Sequence, residues 1–293
     1  MAKKKIISVI ILSWNTKKIL ENCLQSLFNF QPDPYELEVI VVDNASTDGS
    51  PAMIKKKFRQ VKLIENKENL GFTKGNNQGM KKARGDYLLI LNSDTLIKDK
   101  APVKMARFLE NNDQVGVVGC KLLNSDGTNQ PSYGPFPHLR IAMVMLFAEH
   151  WLGGHLVRRS GEKTVEADWV MASALMIRKE VIKRVGMFDE KIFMYMEETE
   201  WCYRIKKAGY QVIFYPEARI THLERASSVT GRKDPILNIY RGLIYFYKKH
   251  YPAWQLPVLR LMLKLKAGGA LLLGYLIKKQ YLKETYGEAF KIA

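Results

Sequence analysis

Cysteine is scarce in this chain of 293 residues. Its three cysteines, Cys23, Cys120 and Cys202, are far apart and form no paired ligand spacing. That excludes a disulfide framework and a zinc-binding knuckle, and it favours a reducing compartment. Acidic residues are in the minority, 29 Asp and Glu against 46 Lys and Arg, for a formal net charge of +17. Long apolar runs are missing as well. The uninterrupted stretch Ala267 to Ile277 falls short of the roughly 20 residues that a membrane-spanning helix needs. Neither a Walker loop nor a Gly-x-Gly-x-x-Gly fingerprint is present, which argues against an ordinary nucleotide hydrolase or dehydrogenase. No nucleic-acid-binding motif, internal repeat or low-complexity tract occurs, so nucleic acid is not the expected partner of the positive charge.

What is present is a regular alternation of strand and helix patterns. Hydrophobic residues make up 47% of the chain, enough for one large core or a domain with an appendage. Ile6 to Leu12 is apolar and β-branched, and reads as a first strand rather than a signal peptide. Thr16 is a candidate cap for a helix carrying Ile19, Leu20, Cys23, Leu24, Leu27 and Phe28 at helical spacing. Further strands are expected at Leu37 to Val42, Val61 to Ile64, Tyr87 to Leu91, Val115 to Val118, Ala174 to Ile177 and Val212 to Tyr215. Helices are expected to open at Asp48 or Ser50, and to run over 101–111, 180–185 and 193–209. Residues 71–79 read as a loop entering a helix, and 124–138, rich in Gly, Pro, Ser and Asn, as a mobile loop. The alternation predicts an α/β fold with a Rossmann-like, mostly parallel sheet flanked by helices.

Chemistry collects where those strands end. Glu36 to Asp43 and Tyr87 to Asp94 each deliver a carboxylate to a carboxyl end, the edge where open α/β sheets bind ligands. Asp43 can accept hydrogen bonds from a ribose or base, or can cap the turn Asn44-Ala45-Ser46-Thr47-Asp48-Gly49. Asn69 to Gly79 places three glycines and three asparagines where a helix begins, a setting suited to phosphate. Asp94 can hold a hard divalent cation bridging phosphate oxygens, or can serve a turn. Glu197 and Glu200 of Met196-Glu197-Glu198-Thr199-Glu200-Trp201 would share one helical face, with Glu198 pointing elsewhere. The alternative for that run is a solvated acidic face, against which Trp201 and Cys202 argue.

Together these motifs resemble the family 2 glycosyltransferases, inverting enzymes of the GT-A fold, and among them the rhamnosyltransferase-like branch. The matching landmarks run from Ile7 to His222, about three quarters of the chain: Val9 to Asn15, Val41 to Gly49, Asn69 to Gly79, Asn92-Ser93-Asp94, Glu197 to Glu200 and Ile220-Thr221-His222. The resemblance implies that Ser13, Trp14, Asn15 and Asp43 surround the nucleoside of a donor, with Gly71 and Asn76 on its sugar-phosphate side. Asn92-Ser93-Asp94 stands at the Asp-x-Asp motif, its first acid replaced by Asn, so Asp94 would meet a Mn2+ or Mg2+ ion that His222 completes. A satisfied core histidine is the alternative for His222. Glu198 matches the catalytic base, with Glu197 and Glu200 as alternatives because the family's Glu-Asp pair is Glu-Glu here. Asp168 and Trp169 would lie on the acceptor side, with core packing as the rival for Trp169 and Ala172 where the family usually has Gly.

The implied reaction moves a sugar, with rhamnose as one candidate, from a dTDP- or UDP-sugar to a hydroxyl of a glycan or lipid-linked acceptor in cell-surface polysaccharide synthesis. A non-catalytic sugar-nucleotide-binding protein and a sugar nucleotidyltransferase are the rivals; the latter should carry a Gly-rich triphosphate loop where this chain has Ser13-Trp14-Asn15-Thr16. The expected organisation is a catalytic domain over 1–225, with a nucleotide-sugar half at 1–120 and an acceptor half at 121–225, followed by a helical appendage at 226–293. That last segment carries twelve Lys or Arg against three acids and an apolar stretch, Leu256 to Ile277, interrupted by Arg260, Lys264 and Lys266. It is expected to lie on an anionic membrane surface, on the main domain, or on a second subunit in a homodimer. The expected location is cytoplasmic, peripheral to the inner face of the cell membrane.

Overall fold

A computed structural model describes residues 4–149, 154, 156–223 and 233–293; Met1-Ala2-Lys3 and the expected domain boundary at 225/226 lie outside the described residues. The first half runs Ile6–Ser13 (β1), Lys17–Phe28 (α1), Glu36–Asp43 (β2), Ser50–Lys57 (α2), Lys62–Glu65 (β3), Gly71–Lys82 (α3) and Tyr87–Asn92 (β4). Then come Thr95–Leu96 (β5), Ala101–Glu110 (α4), Val115–Leu123 (β6), Asn129–Gln130 (β7), Tyr133–Gly134 (β8) and Leu139–Met143 (α5), which passes into a π-helical turn over Val144–Ala148. Val165–Glu166 (β9), Trp169–Val170 (β10), Ala174–Arg178 (β11), Lys179–Val185 (α6), Glu197–Lys207 (α7) and Gln211–His222 (β12) complete the sheet region. Three helices follow: Lys233–His250 (α8), Gln255–Leu276 (α9) and Gln280–Ile292 (α10).

The main sheet has the order β3-β2-β1-β4-β11-β6-β12-β5. β3, β2, β1 and β4 are mutually parallel, β12 is parallel to β6, and β11 is antiparallel to both β4 and β6. The sheet is buried on both faces, which is why its strands read as continuous apolar runs. Alternate β1 side chains feed two cores. Ile7, Val9 and Ile11 pack with Leu20, Leu24 and Leu27 of α1, while Ile10 packs on the opposite face with Met80 of α3. Each such fully buried side chain contributes roughly 1.5–3 kcal/mol.

The structure departs from the sequence expectation at several points. Residues 71–79 are already helix, and a Cβ on Gly75 or Gly79 would stand 2.3 Å or 2.4 Å from Leu12 or Ile10. These glycines therefore serve close helix–sheet packing rather than approach to a ligand. The helix expected over 193–209 starts only at Glu197, because Tyr195 and Met196 adopt left-handed φ angles of 68° and 72°. Residues 124–138 include β7 and β8, with Gln130 and Ser132 buried. Thr16 makes no side-chain cap; its hydroxyl pairs with Ser13 Oγ at 3.0 Å. Gln211–His222 is one strand whose register against β6 shifts between Tyr215 and Arg219.

Helices α8, α9 and α10 form a third core with Ala142 and Leu146, against which Phe136, Met196 and Tyr203 also pack. A buried charge cluster fastens α8 to α7. Glu200 accepts hydrogen bonds from Arg204 Nε (2.9 Å), Lys249 Nζ (2.8 Å) and His250 Nε2 (3.0 Å). Burial alone would raise the Glu200 pKa, but hydrogen bonds from His250, Arg204 and Lys249 outweigh it and hold the carboxylate at about 2. A depressed folded-state pKa gives stability that is present above the ordinary Glu range and is lost as pH falls towards that value. Removing the charge takes from Arg204 and Lys249, whose side chains are 20% and 32% exposed, the buried carboxylate that pairs with them. Urea unfolding at neutral pH should therefore find Glu200→Gln less stable by about 3 kcal/mol, and the difference should shrink on acidification below pH ~4. An unchanged midpoint would contradict this role.

Candidate active site

The parallel pairings put three strand ends at one level. Ser13 is in register with Asp43, and Leu12 with Asn92, so β1, β2 and β4 finish side by side at the carboxyl edge. Asp43 is buried. Its Oδ2 accepts from the Ser46 amide at 2.8 Å, and its Oδ1 has no hydrogen-bond partner. A buried, unmatched carboxylate oxygen costs free energy that an incoming donor group would recover. Asn15 has a left-handed φ of 52° and laces two loops, its amide donating to Ser46 Oγ and its Oδ1 accepting from the Thr47 amide, both at 2.8 Å. Trp14 and Ser93 line the cavity beside it.

The amino end of α3 is not open to a phosphate. The Gly71 amide donates to Asn69 Oδ1 at 2.9 Å and the Phe72 amide to Phe193 O at 2.8 Å. A Cβ on Gly71, at φ +81°, would collide with the Phe193 ring. Gly71 still borders the cavity, whereas Asn76 turns back on its own helix and donates to Phe72 O. Asn44 pins the entry to α3 by donating to Asn69 Oδ1 (3.1 Å) and Gly71 O (3.2 Å).

Asp94 and His222 meet. His222 Nε2 lies 3.2 Å from Asp94 Oδ1, and both residues are buried. The antiparallel pairing of β5 with β12 sets His222 opposite Thr95, next to Asp94. The tautomer follows from Gln130. Its Nε2 donates to Asn124 Oδ1 (2.8 Å) and to His222 O (3.2 Å), so its Oε1 is the atom 2.7 Å from His222 Nδ1. Nδ1 therefore carries the proton in the neutral ring. The Nε2 lone pair then points at Asp94 and at Asn92 Nδ2, 3.4 Å away. The Asn92 amide can donate to that lone pair, and a neutral imidazole braced at Nδ1 is a usual metal-ligand arrangement. These donors suit Mn2+ or Mg2+, with the rest of the coordination left to substrate oxygens and water. Among the described residues no group of three or more His, Cys, Asp or Glu converges.

The three glutamates at the start of α7 behave differently. Burial raises the Glu197 pKa well above the ordinary range, and repulsion from Glu198 adds to it. Burial also raises that of Glu198, which the Arg158 charge partly offsets. Glu197 Oε2 and Glu198 Oε2 have no hydrogen-bond partner, whereas Glu200 is saturated by cations.

Asp168 and Trp169 stand apart from the cavity lining. Asp168 Oδ2 accepts from the Phe136 amide at 2.8 Å, and Trp169 donates to Pro135 O at 2.8 Å and packs in the second core. Among the described residues the best-formed cavity holds about 560 Å³, bounded by Trp14, Ser93, Phe193 and, from α8, Asn238, Arg241 and Tyr245. Sequence reading assigned α8 to an appendage. The spacing of Asp234, Asn238, Arg241 and Tyr245, a polar stripe along one helical face, was the available signal. Gln130 was missed because it sits in a stretch without hydrophobic periodicity.

Comparison with known proteins agrees with this geometry. The chain is 24% identical over 307 aligned residues to the N-acetylglucosaminyl-diphospho-decaprenol L-rhamnosyltransferase of Mycobacterium tuberculosis, covering 98% of this chain and 97% of that protein. It is 27% identical over 230 residues to the O-antigen biosynthesis protein RfbC of Myxococcus xanthus, covering 75% of this chain and 17% of that one. Its fold matches the mannosyltransferase PcManGT from Pyrobaculum calidifontis, solved with GDP-Man and Mn2+, at a TM-score of 0.59 and 19% identity, covering 99% of this chain and 87% of that one. The sheet and its flanking helices are those of the GT-A fold. Residues 8–186 match the family described as Glycosyl transferase family 2, and the chain belongs to that family.

Proposed function

We propose that this protein is a metal-dependent inverting glycosyltransferase that moves a sugar, rhamnose being the first candidate, from a nucleoside diphosphate donor to a hydroxyl of a lipid-linked glycan. The observation that carries the reading is the approach of His222 Nε2 to Asp94 Oδ1 at 3.2 Å, beside the level ends of β1, β2 and β4. The rhamnosyltransferase relative, aligned over nearly the whole chain, supports the acceptor class. Asp43, with its unmatched Oδ1, would bind the nucleoside, and Trp14 and Ser93 would border it. Asp94 and His222 would hold the cation, which when bound neutralises the departing diphosphate. Glu198 takes the proton from the attacking acceptor hydroxyl, and its raised pKa brings it closer to operating pH. Arg241, held by Asn238 at 3.2 Å, adds a cation on the α8 side of the cavity. The loop after β1, Ser13-Trp14-Asn15-Thr16, lacks the glycines of a triphosphate-gripping nucleotidyltransferase.

Four measurements test this reading. A thermal-shift screen of sugar nucleotides with Mn2+ should single out the donor: at about 100 times its Kd it stabilises by ~2.7 kcal/mol. No response to any UDP- or dTDP-sugar would count against a donor site. A base must be ionised to act, so kcat/KM should fall as pH drops through a pKa above the ordinary carboxylate range. Glu198→Gln should lose at least about a hundredfold in turnover while still binding nucleotide. Turnover equal to that of the unaltered protein would remove Glu198 from the chemistry. Finally, Gln130→Leu frees the imidazole to change tautomer. Mn2+ titration in the presence of UDP or dTDP, followed by EPR, should show affinity weakened by roughly 10- to 100-fold. Equal affinity would show that Gln130 does not brace His222.

A further inference from the structure

The helix α9 has two apolar faces. Leu259, Met262, Leu263 and Ala267 are buried in the third core. On the other side Trp254, at the amino-terminal cap, leads a second stripe of Val258, Leu261, Leu265, Leu272 and Leu276. These six are between 39% and 71% exposed. Their spacings of three, four and seven residues follow the helical repeat, so they form one continuous line. The exposed Phe147 lies beside it and, with Leu265 and Leu273, encloses a shallow groove of about 280 Å³. An uncovered apolar line of this length on a folded domain marks a surface built for a partner.

We propose that this face of α9 docks on an anionic lipid bilayer, with the helix lying in the plane of the membrane surface. Charge identifies the occupant. Between Asp234 and Glu284 there is no carboxylate, while Arg241, Lys248, Lys249, Arg260, Lys264, Lys266, Lys278, Lys279 and Lys283 are all cationic. Several of these are engaged internally, Lys249 with Glu200 and Arg260 with Ala293 O. Lys264, Lys278 and Lys279 are exposed near the stripe. Apolar side chains flanked by lysines, with no acid among them, match anionic headgroups above an acyl layer. A second copy of the same chain would bring like charges together on this face, which disfavours a dimer there. Trp254 and Tyr275 are exposed near the two ends of the helix, as amphipathic aromatics are at a lipid–water boundary. No helix among the described residues is long and apolar enough to cross a membrane, so the contact is superficial. The inference does not depend on the glycosyltransferase reading.

The test uses the full chain and cosedimentation with vesicles of phosphatidylglycerol or of phosphatidylcholine alone. The protein should partition onto the anionic vesicles and much less onto the neutral ones. The double variant Leu265→Glu/Leu272→Glu alters only exposed side chains. It should keep its circular dichroism and melting temperature and bind at least about tenfold more weakly. Lys264→Gln/Lys279→Gln should flatten the salt dependence of binding. Three results would overturn the proposal: wild type left in the supernatant, undiminished binding by the folded Glu double variant, or a wild-type dimer that the same substitutions dissociate.

Discussion

The short ladder between β5 and the end of β12 is the contact on which the site depends. It is only two residue pairs long, yet it sets His222 beside Asp94. Everything else at the carboxyl edge is arranged around that meeting. The parallel strands set Ser13 level with Asp43 and Leu12 level with Asn92, and β7 supplies Gln130 to orient the imidazole. A weak local ladder is sufficient because β12 is already anchored along its length to β6, so the last residues need only be steered.

The first turn of α7 makes a related point about electrostatics. Glu197, Glu198 and Glu200 are neighbours on one helix, yet burial raises the first two and a cluster of cations lowers the third. Identity of side chain does not assign the role; surroundings do. The same cationic cluster belongs largely to α8, so the carboxyl-terminal helices are part of the site's construction. Lys249 and His250 of α8 both hydrogen-bond Glu200. They also wall the cavity with Asn238, Arg241 and Tyr245 and pack against Met196, where the backbone turns into α7.

Much of this was legible in the sequence because strand patterns are local. The apolar runs that end at Asp43 and near Asp94 report their own burial, and the alternation with helices reports a parallel sheet. The pairing of Asp94 with His222 came from a family resemblance, not from any periodicity. Three features were not readable, each for a physical reason. The glycines of α3 look like a phosphate loop, but only tertiary packing against Leu12 and Ile10 reveals their purpose. Gln130 acts through one long-range hydrogen bond, which leaves no trace in spacing. Helix α9 is apolar on two sides, and sequence alone does not say which side the core takes.

The central claim is that the imidazole of His222 and the carboxylate of Asp94 share a cation with a nucleoside diphosphate. Pulsed EPR of the Mn2+ complex with UDP or dTDP reads this directly. A directly bound imidazole gives a nitrogen coupling, and the nucleotide gives phosphorus couplings beside it. The nitrogen coupling should vanish in His222→Ala. A nucleotide-bound Mn2+ spectrum with phosphorus but no histidine nitrogen in the unaltered protein would contradict it.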